Sequence, residues 1–233
     1  MITKVDIGII GAMDEEVKAL ISELKDPTKE TVGSIDFHIG ILEGKRVAIA
    51  KCGIGKVFAA MCAEAMIIKY SPSLIVNTGV GGGIKKGIKV TDVVVGERLV
   101  QHDMDTSPLG DPKGLISGIN VIYFEADTRA ADIVCEAAKS IAVDCHRGTI
   151  ASGDVFVASE KLKASIRDEF SAHVCEMEGA AIAQVAYVNK TPFCVIRAIS
   201  DSADEEGSMD YMQFLPIAAK NSALITKELC KKY

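Results

Sequence analysis

The sequence predicts a single α/β domain with a largely buried sheet, and three stretches carry that prediction. Val5 to Ile10 (VDIGII) is a short apolar run that Gly11 breaks before a helical pattern begins. Leu74 to Thr78 (LIVNT) is a second apolar run, leading into glycines. Phe193 to Asp204 (FCVIRAISDSAD) holds a third, introduced by Pro192, with Asp201 just past its carboxyl end and followed by small and acidic residues. Such runs read as parallel strands covered on both faces. No linker or internal repeat divides residues 1–233, so one domain is expected.

The totals narrow the function. The 233 residues are enough for a substantial core, and 48% hydrophobic content argues against disorder. Net charge is -6, from 26 basic and 32 acidic residues, with no basic run, so nucleic acid is not an expected partner. No apolar run has membrane-spanning length, and the first ten residues do not read as a signal peptide. The seven cysteines (Cys52, Cys62, Cys135, Cys145, Cys175, Cys194, Cys230) form no CxxC and read as buried free thiols of a reducing cytoplasm. The four histidines lack zinc-type spacing, so no metal is expected.

Taken in order, the first strand leads into a helix with Met13, Val17, Leu20, Ile21 and Leu24 on one face. Asp14, Glu15 and Glu16 open it. Helix-dipole placement suffices for the first two, but Glu16 borders the apolar face. No GxGxxG follows the strand. Phe37 to Leu42 and Arg46 to Lys51 flank Glu43-Gly44-Lys45 as a hairpin. Cys52-Gly53-Ile54-Gly55-Lys56 then turns into a helix over Val57 to Lys69. It lacks the Walker spacing, so its glycines read as a tight strand-to-helix turn. Gly79-Val80-Gly81-Gly82-Gly83 reads as a loop, either an anion nest or a bare turn.

Val90 to Val100 reads as one or two strands, and Gln101 to Gly118 as the longest loop. His102, Asp103 and Asp105 lie in it without the partners a metal site needs. Thr128 to Ile141 reads as a helix, Arg147 to Ala151 as a strand, Lys161 to Phe170 as a helix and His173 to Met177 as a strand. Phe156, just past a strand end, could stack on a flat ligand or pack in the core. Glu178 opens another helix on its buried face, where a carboxylate needs a partner. Glu176, two residues away, could not be aimed at the same place by one helix. Asp210 to Lys232 closes the chain as a helix.

Glu16, Val80, Phe156, Glu178 and Asp201 thus fall at strand ends or helix starts, which gather along one edge of a parallel sheet. Asp201 could equally cap the turn that follows it. Arg197, the one charge inside the last strand, needs a partner. Carboxylates without a metal or a nucleophile–histidine pair suit acid–base cleavage of a glycosidic bond in a small polar molecule.

Six motifs make the reading specific. IGIIGAMDEE (Ile7 to Glu16), KCGIGKV (Lys51 to Val57), NTGVGGG (Asn77 to Gly83), SGDVFV (Ser152 to Val157), EMEGAA (Glu176 to Ala181) and RAISDSAD (Arg197 to Asp204) resemble, in order and over nearly the whole chain, the 5′-methylthioadenosine/S-adenosylhomocysteine nucleosidases. These enzymes belong to the purine nucleoside phosphorylase-like superfamily. The resemblance implies a three-layer α/β/α sandwich around a mixed, partly closed sheet. It also implies a cytoplasmic homodimer that needs no cofactor and takes only a nucleoside and water.

By the same resemblance Asp201 is the general acid at adenine N7 and Glu16 the carboxylate that deprotonates the attacking water. Glu178 holds the ribose hydroxyls, with Met177 and Arg197. Phe156 stacks on adenine and Val157 reads its edge through the backbone. Met13 and Phe214 line the sugar and thioether region, and Ile54 and Gly82 complete the substrate contacts. The loop from Asp103 to Leu109, with Thr106 and Leu109, reaches into the partner's site. These roles require Asp201 protonated and Glu16 ionised. Val80 departs from the small hydroxyl residue of many relatives and cannot hydrogen-bond through its side chain. The rivals are a phosphate-dependent nucleoside phosphorylase, which needs a cationic pocket that Met13, Glu16 and Ile54 do not offer, and a non-catalytic nucleoside-binding protein, which has no need of both Glu16 and Asp201.

Overall fold

Strands buried along their whole length form the centre of the molecule: β1 (Ile7–Gly11), β5 (Leu74–Gly83) and β10 (Phe193–Asp201). The computed structural model describes residues 4–203 and 207–233, so Met1 to Thr3, and Asp204 of the RAISDSAD stretch, lie outside the described residues. Alternation along β10 shows why the sheet is covered on both sides. Phe193, Val195 and Ile199 enter one apolar core, while Cys194, Ile196 and Ala198 enter the other.

Helices α2 (Lys56–Tyr70) and α5 (Gly179–Val188) close the first core through Ala59, Cys62, Met66, Ala180 and Ile182. Helices α1 (Asp14–Ser22), α3 (Thr128–Ser140) and α6 (Gly207–Lys232) close the second through Val17, Leu20, Val134, Ala218 and Ile225. A smaller cluster joins α4 (Glu160–Phe170), through Ile166 and Phe170, to Val157 and Ala203. The result is three layers, α/β/α.

The remaining strands are β2 (Lys25–Val32), β3 (Ile35–Leu42), β4 (Lys45–Lys51), β6 (Val93–Gln101), β7 (Phe124–Glu125), β8 (Cys145–Ser152) and β9 (Ala172–Glu176). The sheet is mixed. From β5 it runs outward through β1, β4, β3 and β2. On the other side β5 meets β9 antiparallel, and β9, β8, β6 and β10 lead back to β5, which closes that half on itself. The expected common edge of a parallel sheet is therefore only half the explanation. Strand ends also converge across the closed part, where Cys175 of β9 pairs with Gly82 of β5.

Several elements differ from the sequence expectation. Gly79 to Gly83 is not a loop but the second half of β5, hydrogen-bonded to β10 and β9. β2 had no sequence signal, because it is an exposed edge strand of charged residues around Pro27. Val90 to Val100 yields one strand, with a register shift between Gly96 and Arg98. Cys135 and Cys145 are joined as a disulfide, with Cα atoms 5.4 Å apart. Only the other five cysteines are buried free thiols, so the expectation of seven is corrected. Among the described residues no helix is long and apolar enough to cross a membrane.

Candidate active site

Glu16 is fixed before anything binds. As the third residue of α1 it reaches back over the helix start, as the carboxylate of a capping box does. Its Oε2 accepts the amides of Ala12 (2.6 Å) and Met13 (3.0 Å), and its Oε1 accepts the amide of Val80 (3.1 Å). The anion that the glycine-rich stretch holds is therefore an internal one, where the sequence left an anion nest and a bare turn both open. Burial pushes the Glu16 carboxyl above its ordinary range, against the pull of Arg197 and the three amides.

Asp201 ends β10 beyond an irregularity between Ile199 and Asp201. Its Oδ1 accepts the Ala203 amide (2.8 Å) and its Oδ2 the Ser200 hydroxyl (2.8 Å). It caps the following turn and it also lines the cavity. The glycines of β5 make room for these groups. A Cβ on Gly79 would stand 2.5 Å from Glu16 Oε1, and one on Gly82 would stand 2.9 Å from Asp201 Oδ1. The strand is rich in glycine because two carboxylates lie against its backbone.

Arg197 is 1% exposed and faces inward from the middle of β10. Its Nε and Nη2 donate to Glu176 Oε2, and Nη2 also donates to Asn77 Oδ1. Glu178 Oε2 lies 3.8 Å from the same Nη2. The partner left open in the sequence is thus mainly Glu176. Arg197 does not line the cavity, and its donors are occupied by protein acceptors. Glu176 ends β9 and Glu178 stands just ahead of α5, so a strand end and a helix start aim both at one guanidinium.

Glu176 also accepts the amides of Glu178 (3.0 Å) and Gly179 (2.7 Å) and the Ser152 hydroxyl. Burial alone would raise its pKa. Arg197 and these donors outweigh burial and hold it below the ordinary carboxylate value. Glu178 accepts the Gly55 amide at 2.8 Å. Burial, and next the charge of Glu176, push the Glu178 carboxyl up to about 7.

These groups line a cavity of about 260 Å³. Met13, Ile54, Gly82, Phe156, Val157, Met177 and Glu178, all expected as substrate contacts, line it together with Glu16 and Asp201. Val80 is there too, as an apolar wall. Phe156 is 47% exposed, which excludes core packing for its ring. Phe214 does not line the cavity; Tyr211, one turn earlier on α6, does. The Tyr211 ring meets Phe156 edge-on with centroids 5.8 Å apart, and its hydroxyl donates to Met13 Sδ (3.1 Å). Both aromatics share a helix face, so their spacing could not choose between them. Thr106 and Leu109 lie outside the cavity; Leu109 sits in a 3₁₀ turn (Ser107–Leu109) and is 84% exposed. Ser200 was missed, hidden inside an apolar run. Among the described residues the lining carries no Lys, Arg or His, and no cluster of three or more His, Cys, Asp or Glu could hold a metal.

The chain is similar to known proteins over nearly its whole length. The family model of the Phosphorylase superfamily matches residues 6–231. A 5′-methylthioadenosine/S-adenosylhomocysteine nucleosidase of Haemophilus influenzae (strain PittEE) is 40% identical over 224 residues, covering 96% of this chain and 97% of that protein. The crystal structure of the nucleosidase of that name from Neisseria meningitidis, in complex with methylthio-immucillin-A, superposes with a TM-score of 0.94 at 36% identity over 98% of this chain and 99% of that one. A futalosine hydrolase of Helicobacter pylori superposes with a TM-score of 0.93 at 35% identity over 100% of this chain and 99% of that one.

Proposed function

The chain belongs to the Phosphorylase superfamily and, within it, to the 5′-methylthioadenosine/S-adenosylhomocysteine nucleosidases, and from that membership we propose how its cavity releases adenine. The enzyme hydrolyses the bond between adenine and a 5′-thio-substituted ribose. Asp201, protonated, gives its proton to adenine N7 as the C1′–N9 bond breaks and the bond electrons pass to the base. Glu16, ionised, takes a proton from the water that attacks C1′. Neutral adenine and a thioribose leave, and a proton returns from Glu16 to Asp201 through solvent.

One observation carries this reading. Two carboxylates, each fixed by backbone amides, line one cavity whose described walls hold no cationic side chain. Phosphate would meet carboxylates and no cationic side chain there, whereas a developing ribosyl cation is stabilised by the carboxylates. The raised pKa of Glu16 makes it a stronger base once ionised, and ionisation requires a pH above that raised value.

Glu178 receives the ribose hydroxyls with the Met177 backbone, Phe156 stacks on adenine, and the Val157 backbone reads its edge. Met13 and Tyr211 face the thioether. Adenine release from methylthioadenosine and S-adenosylhomocysteine, followed spectrophotometrically with and without phosphate, tests the reaction. Equal rates are expected. Release that requires phosphate would identify a phosphorylase. Futalosine belongs in the same assay, given the Helicobacter likeness.

The working unit we propose is a homodimer in a reducing cytoplasm. An exposed apolar face supports the dimer: Val57, Phe58, Met61 and Ile68 on α2, beside Tyr187 and Val188 at the end of α5. Leu109, exposed and away from its own cavity, fits a role in the partner's site. Sedimentation should give a dimer, and Phe58→Asp should weaken it. Five buried free thiols support a reducing compartment, in which the Cys135–Cys145 disulfide should be open; both recovered as thiols from freshly lysed cells would support that location, and recovery as a disulfide would count against it.

A further inference from the structure

Two motifs that the sequence singles out carry charged side chains that the reaction as described does not use. One is the Gly-x-Gly-Lys ending at Lys56, and the other is the trio His102, Asp103 and Asp105. The fold brings them together. Lys56 Nζ donates to Asp103 Oδ1 (2.6 Å) and to Gln101 Oε1 (3.1 Å). Asp103 Oδ2 accepts the amide of Asp154 (2.9 Å). Asp154 Oδ1 in turn accepts the amide of Lys56 (2.8 Å), which closes a ring through three chain segments. The ion pair is shielded, with side chains 19% and 29% exposed. Burial would raise the Asp103 pKa, but Lys56 and the Asp154 amide hold it below the ordinary value. His102 packs against Gly153, where a Cβ would stand 2.4 Å from its Nε2, so this neighbour of Asp154 must also be glycine.

Two of the three tied segments carry groups of the binding site. Gly55, beside Lys56, donates its amide to Glu178, and Ile54 lines the cavity. Phe156 and Val157 follow Asp154 by two and three residues. Glu16 and Asp201 hang on separate anchors in α1, β5 and the turn after β10. We propose that Lys56 and Asp103 form a positioning pair, which sets the distance between the start of α2 and the loop carrying Phe156 and so fixes the nucleoside-binding half of the cavity. Neither touches substrate. The proposal rests on the nucleosidase reading above.

The pair should therefore act on affinity and not on chemistry. In the full-length enzyme, Lys56→Met and Asp103→Asn should each raise KM for methylthioadenosine about tenfold and keep kcat within about threefold. The double variant should be no worse than the weaker single one, because both changes break one ion pair. Lys56→Arg should restore KM. Amide exchange at Val155, Phe156 and Val157 should quicken in both single variants, a readout independent of turnover. A KM within about twofold of the parent in folded Asp103→Asn, with exchange unchanged, would overturn the proposal, as would additive effects in the double variant. Asp103→Asn is isosteric and decides the matter alone if Lys56→Met does not fold. A parent enzyme that releases no adenine would count against the nucleosidase reading, whereas an active parent with indifferent variants counts against the pair only.

Discussion

The floor and the rim of the cavity are built on opposite terms. The floor holds Glu16, Glu176 and Asp201, all within 8% exposure and all engaged by neighbours through hydrogen bonds. The rim holds Ile54 at 56% exposure and Phe156 at 47%, on turns between elements. Proton transfer needs groups fixed at hydrogen-bond distance in a poorly solvated place. Capture and release of a nucleoside need walls that can be reached from solvent. Damage to the floor should therefore appear in kcat, and damage to the rim in KM.

The largest expected effect is on the floor. Asp201→Asn removes the proton but keeps the shape and the hydrogen bond from Ala203, so kcat should fall by roughly 10²–10⁴-fold while binding of methylthioadenosine, measured by calorimetry, stays within about threefold. Wild-type turnover by this variant would remove Asp201 from the acid role. Glu16→Gln should cost roughly 10²-fold in kcat, toward the lower end of general base effects. It replaces one of the three amide acceptor bonds with an amide–amide clash, so its melting temperature must be recorded beside its rate.

Between floor and rim stands Glu178, and there the comparison turns on pH. Its pKa is pushed up to about 7 by burial and then by Glu176. The ionised carboxylate accepts hydrogen bonds from ribose hydroxyls, and the protonated one loses an acceptor oxygen. A raised carboxylate pKa means that the binding form is lost as pH falls through about 7, not through the ordinary value near 4.5. KM should thus rise below pH 7, approaching tenfold per unit, and Glu178→Gln should flatten that limb at a uniformly higher KM. A flat KM between pH 5.5 and 8 (roughly the histidine range) in the parent would show that Glu178 does not govern affinity.

What could be read beforehand follows the same division. Val5 to Ile10 and Phe193 to Asp201 announce themselves because both faces are apolar. Glu16 and Asp201 stand out as carboxylates at their ends. The glycines of β5 misled, since a run of glycines has the same appearance whether it turns or lies flat beneath Glu16 and Asp201. The partner of Arg197 was not legible either. Its pairing with Glu176 depends on β9 closing the sheet against β5, a contact between residues far apart in sequence. β2 stayed hidden because an exposed edge strand has no apolar period to show.

On the rim the effects should shrink. Phe156→Leu keeps apolar bulk but loses the flat face, and should raise KM about tenfold, near the upper end of an aromatic pair's worth, with little change in kcat. The smallest effect separates two aromatics on one helix. Tyr211 meets Phe156 edge-on and bonds Met13, whereas Phe214 does not line the cavity. Tyr211→Leu should raise KM for methylthioadenosine about threefold to fivefold, because it removes both the ring contact and the brace on Met13. Phe214→Leu should leave KM within about twofold and lower the melting temperature by roughly 2–4 °C, since it trims a half-buried ring in the packing of α6. If the two variants exchange behaviours, Phe214 is the residue that reaches the thioether when substrate is bound. The first turns of α6 must then rotate by about 60°, the angle between helix positions three residues apart, to bring it there.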